Sequence, residues 1–255
     1  MRNIVTVAMQ AAREAGEYLR ENHRTTLTVE AKEDRSLVTN VDREAERLIR
    51  ARIEAAFPGH DIVGEERGET SRGSDWAWVI DPMDGTHNYI RGMSTYGVSI
   101  GVMRDNSFVA GVIFMPETSE MYAAERGSGA FRNDTRIGVS ARSALSACTL
   151  AFDSELRLET ARKLRVLGEL SPQVFNVRMF GSSARTLSHI AEGVLDGVIE
   201  FSDKLWDFAA GFVIIEEAGG RMTSFAGAEL SPRDTAYVAT NGLIHDPLLR
   251  IAGSA

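Results

Sequence analysis

The segment WAWVIDPMDGTHNY, residues 76–89, decides how the surrounding chain folds and where its chemistry lies. Its first five residues are aromatic, β-branched or alanine, which is typical of a strand packed on a pleated surface. Two carboxylates, Asp81 and Asp84, follow at once, and Pro82 between them lacks the N–H that a strand ladder needs. The segment therefore predicts a rigid strand that holds two acids at its exit, where support from the strand gives catalytic groups their precision.

A glycine turn follows the second acid. If Gly85 and Thr86 open a helix, the free N–H groups of its first turn form a site for an anion such as phosphate. Acids that hold cations would then lie beside amides that hold an anion.

The composition is that of an ordinary globular protein. The 255 residues are 44% hydrophobic and 25% charged, which excludes disordered and fibrous classes and leaves one large α/β domain or two small ones. A net charge of −8 opposes non-specific nucleic-acid binding and favours metal cations. The single cysteine, Cys148, excludes an intrachain disulfide and a thiolate zinc cluster, and its apolar run CTLAF predicts a buried small hydrophobe.

The N-terminus shows no signal-peptide pattern, because polar residues interrupt 1–12 and an amphipathic pattern continues beyond it. No apolar run approaches membrane-spanning length. We therefore expect a soluble, cytoplasmic protein.

Hydrophobic spacing predicts a chain of mixed helices and strands. Helices are expected from Ile4 to near Asn22, from a Thr39 cap to Pro58, over 156–170, from Ser182 or Ser183 to Gly193, over 208–218 and over 244–251. Strands are expected over 61–64, 76–80, 149–152, 175–180, 197–201 and 236–239, with an antiparallel meander between Thr95 and Ala124. Residues 25–36 predict a solvated loop or short hairpin, and 68–75 a mobile polar connector. This mixture favours layered α and β elements over a purely parallel sheet.

Four acids border strand-like runs and are candidate metal ligands: Glu65, Asp81, Asp84 and Asp207. Carboxylate oxygens are hard ligands that suit Mg²⁺ or Mn²⁺, whereas the five histidines show no zinc-site spacing. The chain also lacks a calcium-loop pattern, a GxxxxGK phosphate loop and a GxSxG nucleophile motif.

Plainer alternative interpretations exist for Asp207, Asp42 and Glu65. Asp207 could cap a helix, and Asp42 could interact with the dipole of the helix that begins beside it. Glu65 and its neighbour Glu66 could be solvated surface charge. The sequence alone leaves these alternatives open.

Three blocks together resemble the signatures of the inositol monophosphatase family: Gly64-Glu65-Glu66, Asp81-Pro82-Met83-Asp84-Gly85-Thr86 and Trp206-Asp207-Phe208-Ala209-Ala210-Gly211. The likeness extends over nearly the whole chain, through Leu37-Val38-Thr39 before Asp42, the turn 127–131, Gly181-Ser182-Ser183-Ala184 and Glu217-Ala218-Gly219-Gly220. It implies a layered α/β/α/β/α sandwich in one domain over 1–255. Residues 1–145 would bind metal and phosphate, and 146–255 would contact substrate.

The resemblance also implies a role for each site residue. Glu65, Asp81 and the carbonyl of Met83 would hold one Mg²⁺, and Asp81, Asp84 and Asp207 a second, while Glu65 could help a weaker third. Mn²⁺ is a possible substitute. Gly85 and Thr86 would bind phosphate, Asp42 with Thr86 would orient the attacking water, and Glu65 would share in catalysis. The substrate would contact Asp84, Gly181, Ser182, Ser183, Glu200 and Asp207.

Some positions depart from inositol-directed members of the family. His87-Asn88-Tyr89 stands where Thr-Asn-Phe is common, and Ser202-Asp203 where a glycine is common, so these residues are candidates for substrate contacts. The segment from Lys32 to Thr39 also resembles histidinol phosphate phosphatases.

We expect a Mg²⁺-dependent, lithium-sensitive phosphatase that acts on a small phosphorylated metabolite, inositol monophosphate or a similar polyol phosphate. Alternatives within the superfamily are a histidinol phosphatase, a fructose bisphosphatase and a nucleotide 3′-phosphatase. A regulatory binding protein is a further alternative, since some bacterial relatives associate with the transcription machinery. The resemblance implies a homodimer without membrane or direct nucleic-acid binding.

Overall fold

The structure is a computed structural model that describes residues 2–31 and 36–253. Its helices are α1 (Arg2–Asn22), α2 (Asn40–Ala56), α3 (Thr86–Ile90), α4 (Thr160–Leu170), α5 (Ser183–Ala191), α6 (Leu205–Glu217) and α7 (His245–Gly253). Its strands are β1 (Val29–Ala31), β2 (Leu37–Thr39), β3 (Asp61–Gly64), β4 (Gly68–Thr70), β5 (Trp76–Asp84), β6 (Gly97–Arg104), β7 (Ser107–Met115), β8 (Glu120–Glu125), β9 (Gly129–Arg132), β10 (Thr135–Arg136), β11 (Thr149–Phe152), β12 (Asn176–Arg178), β13 (Gly197–Glu200), β14 (Arg221–Ser224) and β15 (Tyr237–Thr240).

Two main sheets carry the fold. The first has eight strands in the order β10-β9-β8-β7-β6-β5-β3-β4, and all its pairs are antiparallel except β3 with β5. The second has five strands in the order β12-β11-β13-β15-β14, parallel from β12 to β13 and antiparallel from β13 to β14. The predicted meander is confirmed. For 25–36, predicted as a loop or a short hairpin, the structure shows β1 paired antiparallel with β2, which begins just after that range.

The helices complete five layers. One core packs α1 and α2 on the outer face of the eight-stranded sheet, and a central core packs α5 and α6 between the two sheets. A third core packs α4 and α7 on the outer face of the five-stranded sheet. The predicted α/β/α/β/α sandwich is therefore confirmed.

Strand β5 separates two of these cores. Trp78 and Ile80 belong to the core of α1 and α2, whereas Val79 between them belongs to the central core, as the alternation of a strand requires. Pairing with β6 shifts register between Asp81 and Asp84, which confirms the predicted interruption at Pro82. The strand nevertheless resumes pairing at Asp84 rather than ending at Ile80.

Helix α6 lies unusually close to the eight-stranded sheet. A Cβ added to Gly101 on β6 would lie 2.6 Å from the Cβ of Ala209, and one added to Gly111 on β7 would lie 2.2 Å from the carbonyl oxygen of Ala210. The Ser99 hydroxyl also donates to the Trp206 carbonyl at 3.2 Å. These contacts fix the first two turns of α6 against β6 and β7.

Several predicted boundaries were wrong in detail. Helix α4 begins at Thr160 rather than 156, because the Asp153 carboxylate accepts the Glu155 N–H at 2.6 Å and turns the chain there. Strand β4 occupies part of the expected connector 68–75, and β14 was not predicted. The charged run at 32–35 lies outside the described residues.

Cys148 is fully buried, as predicted, and burial raises the pKa of its thiol to about 11. Over residues 2–31 and 36–253, no helix combines the length and apolar character needed to cross a membrane.

Candidate active site

Three carboxylates from two distant parts of the chain meet at one point. Asp81 and Asp84 stand at the end of β5, and Asp207 is the third residue of α6. Each offers a carboxylate oxygen, and these oxygens lie within 4.8 Å of one another. Asp207 is therefore inside the first turn rather than at the N-cap, although its carboxylate accepts the N–H of the capping residue, Lys204, at 2.6 Å.

Burial disfavours the charged forms of these carboxylates when no cation is bound to them. It raises the pKa of Asp81 well above the usual range, and the charges of Glu65, Asp84 and Asp207 add to the effect. Burial likewise raises the pKa of Asp207, and raises that of Asp84 to about 6 against opposing hydrogen bonds from α5. An all-oxygen donor set of this kind fits a hard divalent cation. Perturbed carboxylates in a cleft are also typical of functional sites.

Glu65 approaches from β3, the parallel neighbour of β5. It follows Gly64 directly, and its N–H donates to the Ile80 carbonyl at 3.1 Å, one residue before Asp81. Its charge contributes to the raised pKa of Asp81, although it is not one of the three closest carboxylates. The Met83 carbonyl belongs to the same turn and accepts the Thr86 hydroxyl at 3.0 Å.

The start of α5 encloses Asp84. Ser182, the N-cap, donates its hydroxyl to this carboxylate, and the N–H groups of Ser183 and Ala184 donate at 3.1 and 2.9 Å. Gly181 adopts a positive φ of 62° just before it. The residues predicted to contact substrate therefore also hold a candidate metal ligand in place.

Asp42 is fully buried beside Thr86. Its carboxylate accepts the Thr39 hydroxyl at 2.5 Å and the Thr39 N–H at 2.8 Å, and the Thr86 hydroxyl at 3.1 Å. Burial raises the pKa of Asp42 to about 6 against these hydrogen bonds. The structure thus brings together the two residues expected to orient a water molecule.

Gly85 allows the chain to turn from β5 into α3. Its φ is 85°, and a Cβ there would lie 2.8 Å from the Thr95 carbonyl oxygen. The predicted helix opening is confirmed, but α3 has only five residues. Attraction for an anion would therefore come from the amides of one turn and not from a long helix dipole.

Two further acids lie beyond Asp81, Asp84 and Asp207, which form the acidic triad. Glu200 is the last residue of β13, and Asp203 follows three residues later. Burial raises the pKa of Glu200 well above the usual range and that of Asp203 to about 7, with neighbouring carboxylates adding to both shifts. Asp203 accepts the Tyr237 hydroxyl at 2.6 Å and the Ser183 hydroxyl at 3.1 Å. Asp153, which hydrogen-bonds Glu200, forms a buried ion pair with Lys163 at 2.5 Å.

Tyr89 is not a substrate contact. Its ring is buried, and its hydroxyl donates to the Leu19 carbonyl of α1 at 2.7 Å. Asn88 is also buried and donates to the carbonyls of Thr95, Phe180 and Gly181. His87 is exposed. Of the two departures in this segment, Tyr89 therefore serves packing and His87 is exposed, while Asn88, which matches the common asparagine, supports the neighbouring loops.

One buried pair was missed in the sequence. Glu46 and Arg50 lie on the buried face of α2, whereas the apolar Leu48 on the same helix is only half-buried. The signal was present in the spacing, because Asp42, Glu46 and Arg50 recur every four residues and form one charged row along the helix.

Comparisons with known proteins agree with this geometry. Residues 1–254 match the model of the inositol monophosphatase family. The chain belongs to the inositol monophosphatase family. It is 34% identical to a fructose-1,6-bisphosphatase/inositol-1-monophosphatase of Aquifex aeolicus over 99% of this chain and 96% of that protein. It is 36% identical to the Nus factor SuhB of Escherichia coli over 89% and 87% of the two chains.

A solved structure supports the same assignment. The extragenic suppressor protein suhB of Bartonella henselae superposes with a TM-score of 0.95 at 34% identity, covering 98% of each chain. As a member of this metal-dependent family, the protein is a phosphoric monoester hydrolase. Its acidic triad could bind metal.

Proposed function

We propose that this inositol monophosphatase family member hydrolyses inositol monophosphate or a similar polyol phosphate with the help of Mg²⁺. The observation that carries the proposal is the convergence of Asp81, Asp84 and Asp207, whose carboxylate oxygens lie within 4.8 Å of one another. The negative charge of such a buried group of acids must be neutralised by a cation or by bound protons.

Two ions would share Asp81. Glu65, Asp81 and the Met83 carbonyl would hold one, and Asp81, Asp84 and Asp207 the other, while Glu65 could assist a weaker third ion. Mn²⁺ would be an alternative metal. When bound, such ions lower the pKa of water, neutralise phosphate charge and stabilise a leaving alkoxide.

Asp42 and Thr86 would orient the attacking water. The Thr86 hydroxyl has one proton and lies near two acceptors, the Asp42 carboxylate at 3.1 Å and the Met83 carbonyl at 3.0 Å. When that proton points to Asp42, the hydroxyl oxygen can accept a hydrogen bond from water and so orient it. The amides of Gly85 and Thr86 would bind the phosphate oxygens.

The second half of the chain would bind the leaving group. Its alcohol would contact Asp84, Gly181, Ser182, Ser183, Glu200 and Asp207. A carboxylate such as Glu200 can accept hydrogen bonds from the hydroxyls of a polyol. In this scheme one domain, 1–255, divides into a metal- and phosphate-binding half, 1–145, and a substrate-contacting half, 146–255. A cytoplasmic, lithium-sensitive homodimer without direct nucleic-acid binding completes the proposal.

Fructose 1,6-bisphosphate is a second candidate substrate, because the Aquifex relative is named for both activities. Histidinol phosphate and nucleotide 3′-phosphates are weaker candidates. A purely regulatory role, suggested by the name of the Escherichia coli relative, would not require the convergence of acids that this chain retains.

Phosphate release from these four substrates, with and without Mg²⁺, tests the proposal. We expect the highest kcat/KM with inositol monophosphate, no turnover in EDTA, and inhibition by Li⁺. Equal or greater turnover of another substrate would overturn the substrate assignment. Turnover that persists in EDTA would overturn the metal assignment.

A further inference from the structure

A row of charged side chains on α2 reaches from the candidate water site to the loop after β3. Asp42, Glu46 and Arg50 are spaced four residues apart and are all buried. Asp42 already has a role in the proposed reaction, but Glu46 and Arg50 do not. Charged residues are rarely buried at this depth without several partners.

Glu46 is bound from three directions. Its carboxylate accepts the Glu66 N–H at 2.7 Å, the Arg67 N–H at 3.2 Å and the Arg50 Nε–H at 2.6 Å. Two of these donors are the backbone groups that come directly after Glu65. The carboxylate therefore fixes the turn on the far side of this candidate metal ligand.

Arg50 extends the same contact to β4. Its Nη1 donates to the Thr70 hydroxyl at 3.1 Å, and its Nη2 donates to the Gly68 carbonyl. A planar guanidinium can bind such separate acceptors in one fixed geometry. The Glu46–Arg50 pair thus holds the turn between β3 and β4 at both ends.

Gly64 makes room for the pair. A Cβ at this position would lie 2.3 Å from Glu46 Oε1 and 2.7 Å from Arg50 Nη2. The pair can therefore approach the end of β3 only because the residue before Glu65 has no side chain. On its other side, Glu65 is fixed by its own N–H bond to the Ile80 carbonyl.

We propose that Glu46 and Arg50 are positioning residues that hold Glu65 in place to bind metal. The inference rests on the proposed metal-binding role of Glu65 and adds residues that do not contact the ion. Burying an ion pair carries a desolvation free energy, so such a pair adds little to folding stability compared with an apolar pair. What this pair contributes here is hydrogen bonds of fixed direction. It binds two consecutive amides beside Glu65, which an apolar pair cannot do.

Glu46→Gln tests this inference because glutamine keeps the shape and one acceptor oxygen but loses the charge. The number and affinity of bound ions are measured by calorimetry with Mn²⁺, separately from activity. We expect the affinity of one class of ions to fall by about tenfold, as for other residues that orient a metal ligand. At saturating metal, kcat should recover most of its original value. Glu44→Gln is the control, since Glu44 is on the same helix and forms a surface ion pair with the exposed Arg47.

A Glu65→Gln background decides whether the effect passes through Glu65. If it does, adding Glu46→Gln to Glu65→Gln should not weaken metal binding further. An equal loss in both backgrounds, or unchanged ion binding in a folded Glu46→Gln variant, would overturn the inference. Ion binding is measured directly and does not depend on activity. A chain that lacks phosphatase activity would therefore contradict the proposed function, while the effect of Glu46→Gln on ion binding could still be interpreted.

Thr70→Val provides a milder change if circular dichroism shows that Glu46→Gln does not fold. It removes the Thr70 acceptor of Arg50 and leaves Glu46 in place. We expect a loss of roughly two- to fivefold in the affinity of the same class of ions, the effect of one hydrogen bond. Unchanged ion binding in this variant would then count against the inference.

Discussion

The two halves of the chain supply their acids to the site in different ways. In the first half, Asp81 and Asp84 share the end of one strand, and Glu65 directly follows the neighbouring strand. In the second half, Asp207 reaches the same point only because α6 packs on the eight-stranded sheet. The first half therefore holds its ligands through local backbone structure, whereas the second depends on tertiary packing.

Asp207→Asn should remove the metal ligand that the second half supplies, and we expect it to cause the largest loss of activity among the predicted changes. Asparagine keeps an oxygen that can accept the Lys204 N–H, so α6 should remain capped. We expect kcat to fall by at least about 10³-fold, because metal ions supply several kcal/mol to such reactions.

The melting temperature of the same variant should hold or rise without added metal. The substitution removes one charge from a buried cluster of acids, so repulsion among them decreases. Asp246→Asn, at an exposed position on α7, is the control and should keep full activity. Full activity in Asp207→Asn would leave this carboxylate with a capping role alone.

The local half of the site was largely predictable from sequence. The apolar run before Asp81, the proline between the acids and the glycine after Asp84 each act on the backbone within a few residues, and all three predictions were confirmed. Hydrophobic periodicity also placed α1 and α2 closely. These signals are local, so they can be interpreted from a short stretch of sequence without knowledge of the tertiary structure.

The remainder depends on contacts that no short window contains. The convergence of Asp207 with Asp81 came from a family resemblance and could not be worked out from spacing. Strand β14 (RMTS) lacks a β-branched run and is defined by its pairing with β15. The buried position of Glu46 was not predicted, because its partners, the amides after Glu65, lie on another element.

Gly111→Ala should test the contact that joins the two halves. The added Cβ would lie 2.2 Å from the backbone oxygen of Ala210, which cannot move without shifting α6. We expect a loss of about 2–3 kcal/mol in unfolding free energy, the usual cost of overpacking. Since α6 carries Asp207, affinity for the metal should fall as well.

Gly59→Ala is the matched control for this substitution. A Cβ at Gly59 would have no atom within 4 Å, so stability and metal binding should stay close to those of the original chain. Denaturant unfolding and metal titration measure both quantities. If Gly111→Ala matched Gly59→Ala, the close approach of α6 would not control the position of Asp207.

The smallest predicted effect concerns the second half alone, away from the metal ligands. His245 at the start of α7 is buried between Thr223 on β14 and Thr240 on β15, at 2.8 and 3.0 Å. When the Thr223 hydroxyl donates to the Ser224 carbonyl, the neutral ring of His245 donates from Nε2 to Thr223 and accepts from Thr240 at Nδ1. A second proton on the ring would break that arrangement.

Burial lowers the pKa of His245 to about 4 from the ordinary 6.5, with the charge of Arg221 adding to the effect. Between these values the unfolded chain binds more protons than the folded one, so unfolding free energy decreases as pH falls through that window. From pH 7 to pH 5 the contribution of this residue should be about 1–2 kcal/mol. His245→Asn should lower stability at pH 7 but reduce the slope between pH 7 and pH 5. An unchanged slope would show that groups other than His245 produce the acid sensitivity between pH 7 and pH 5.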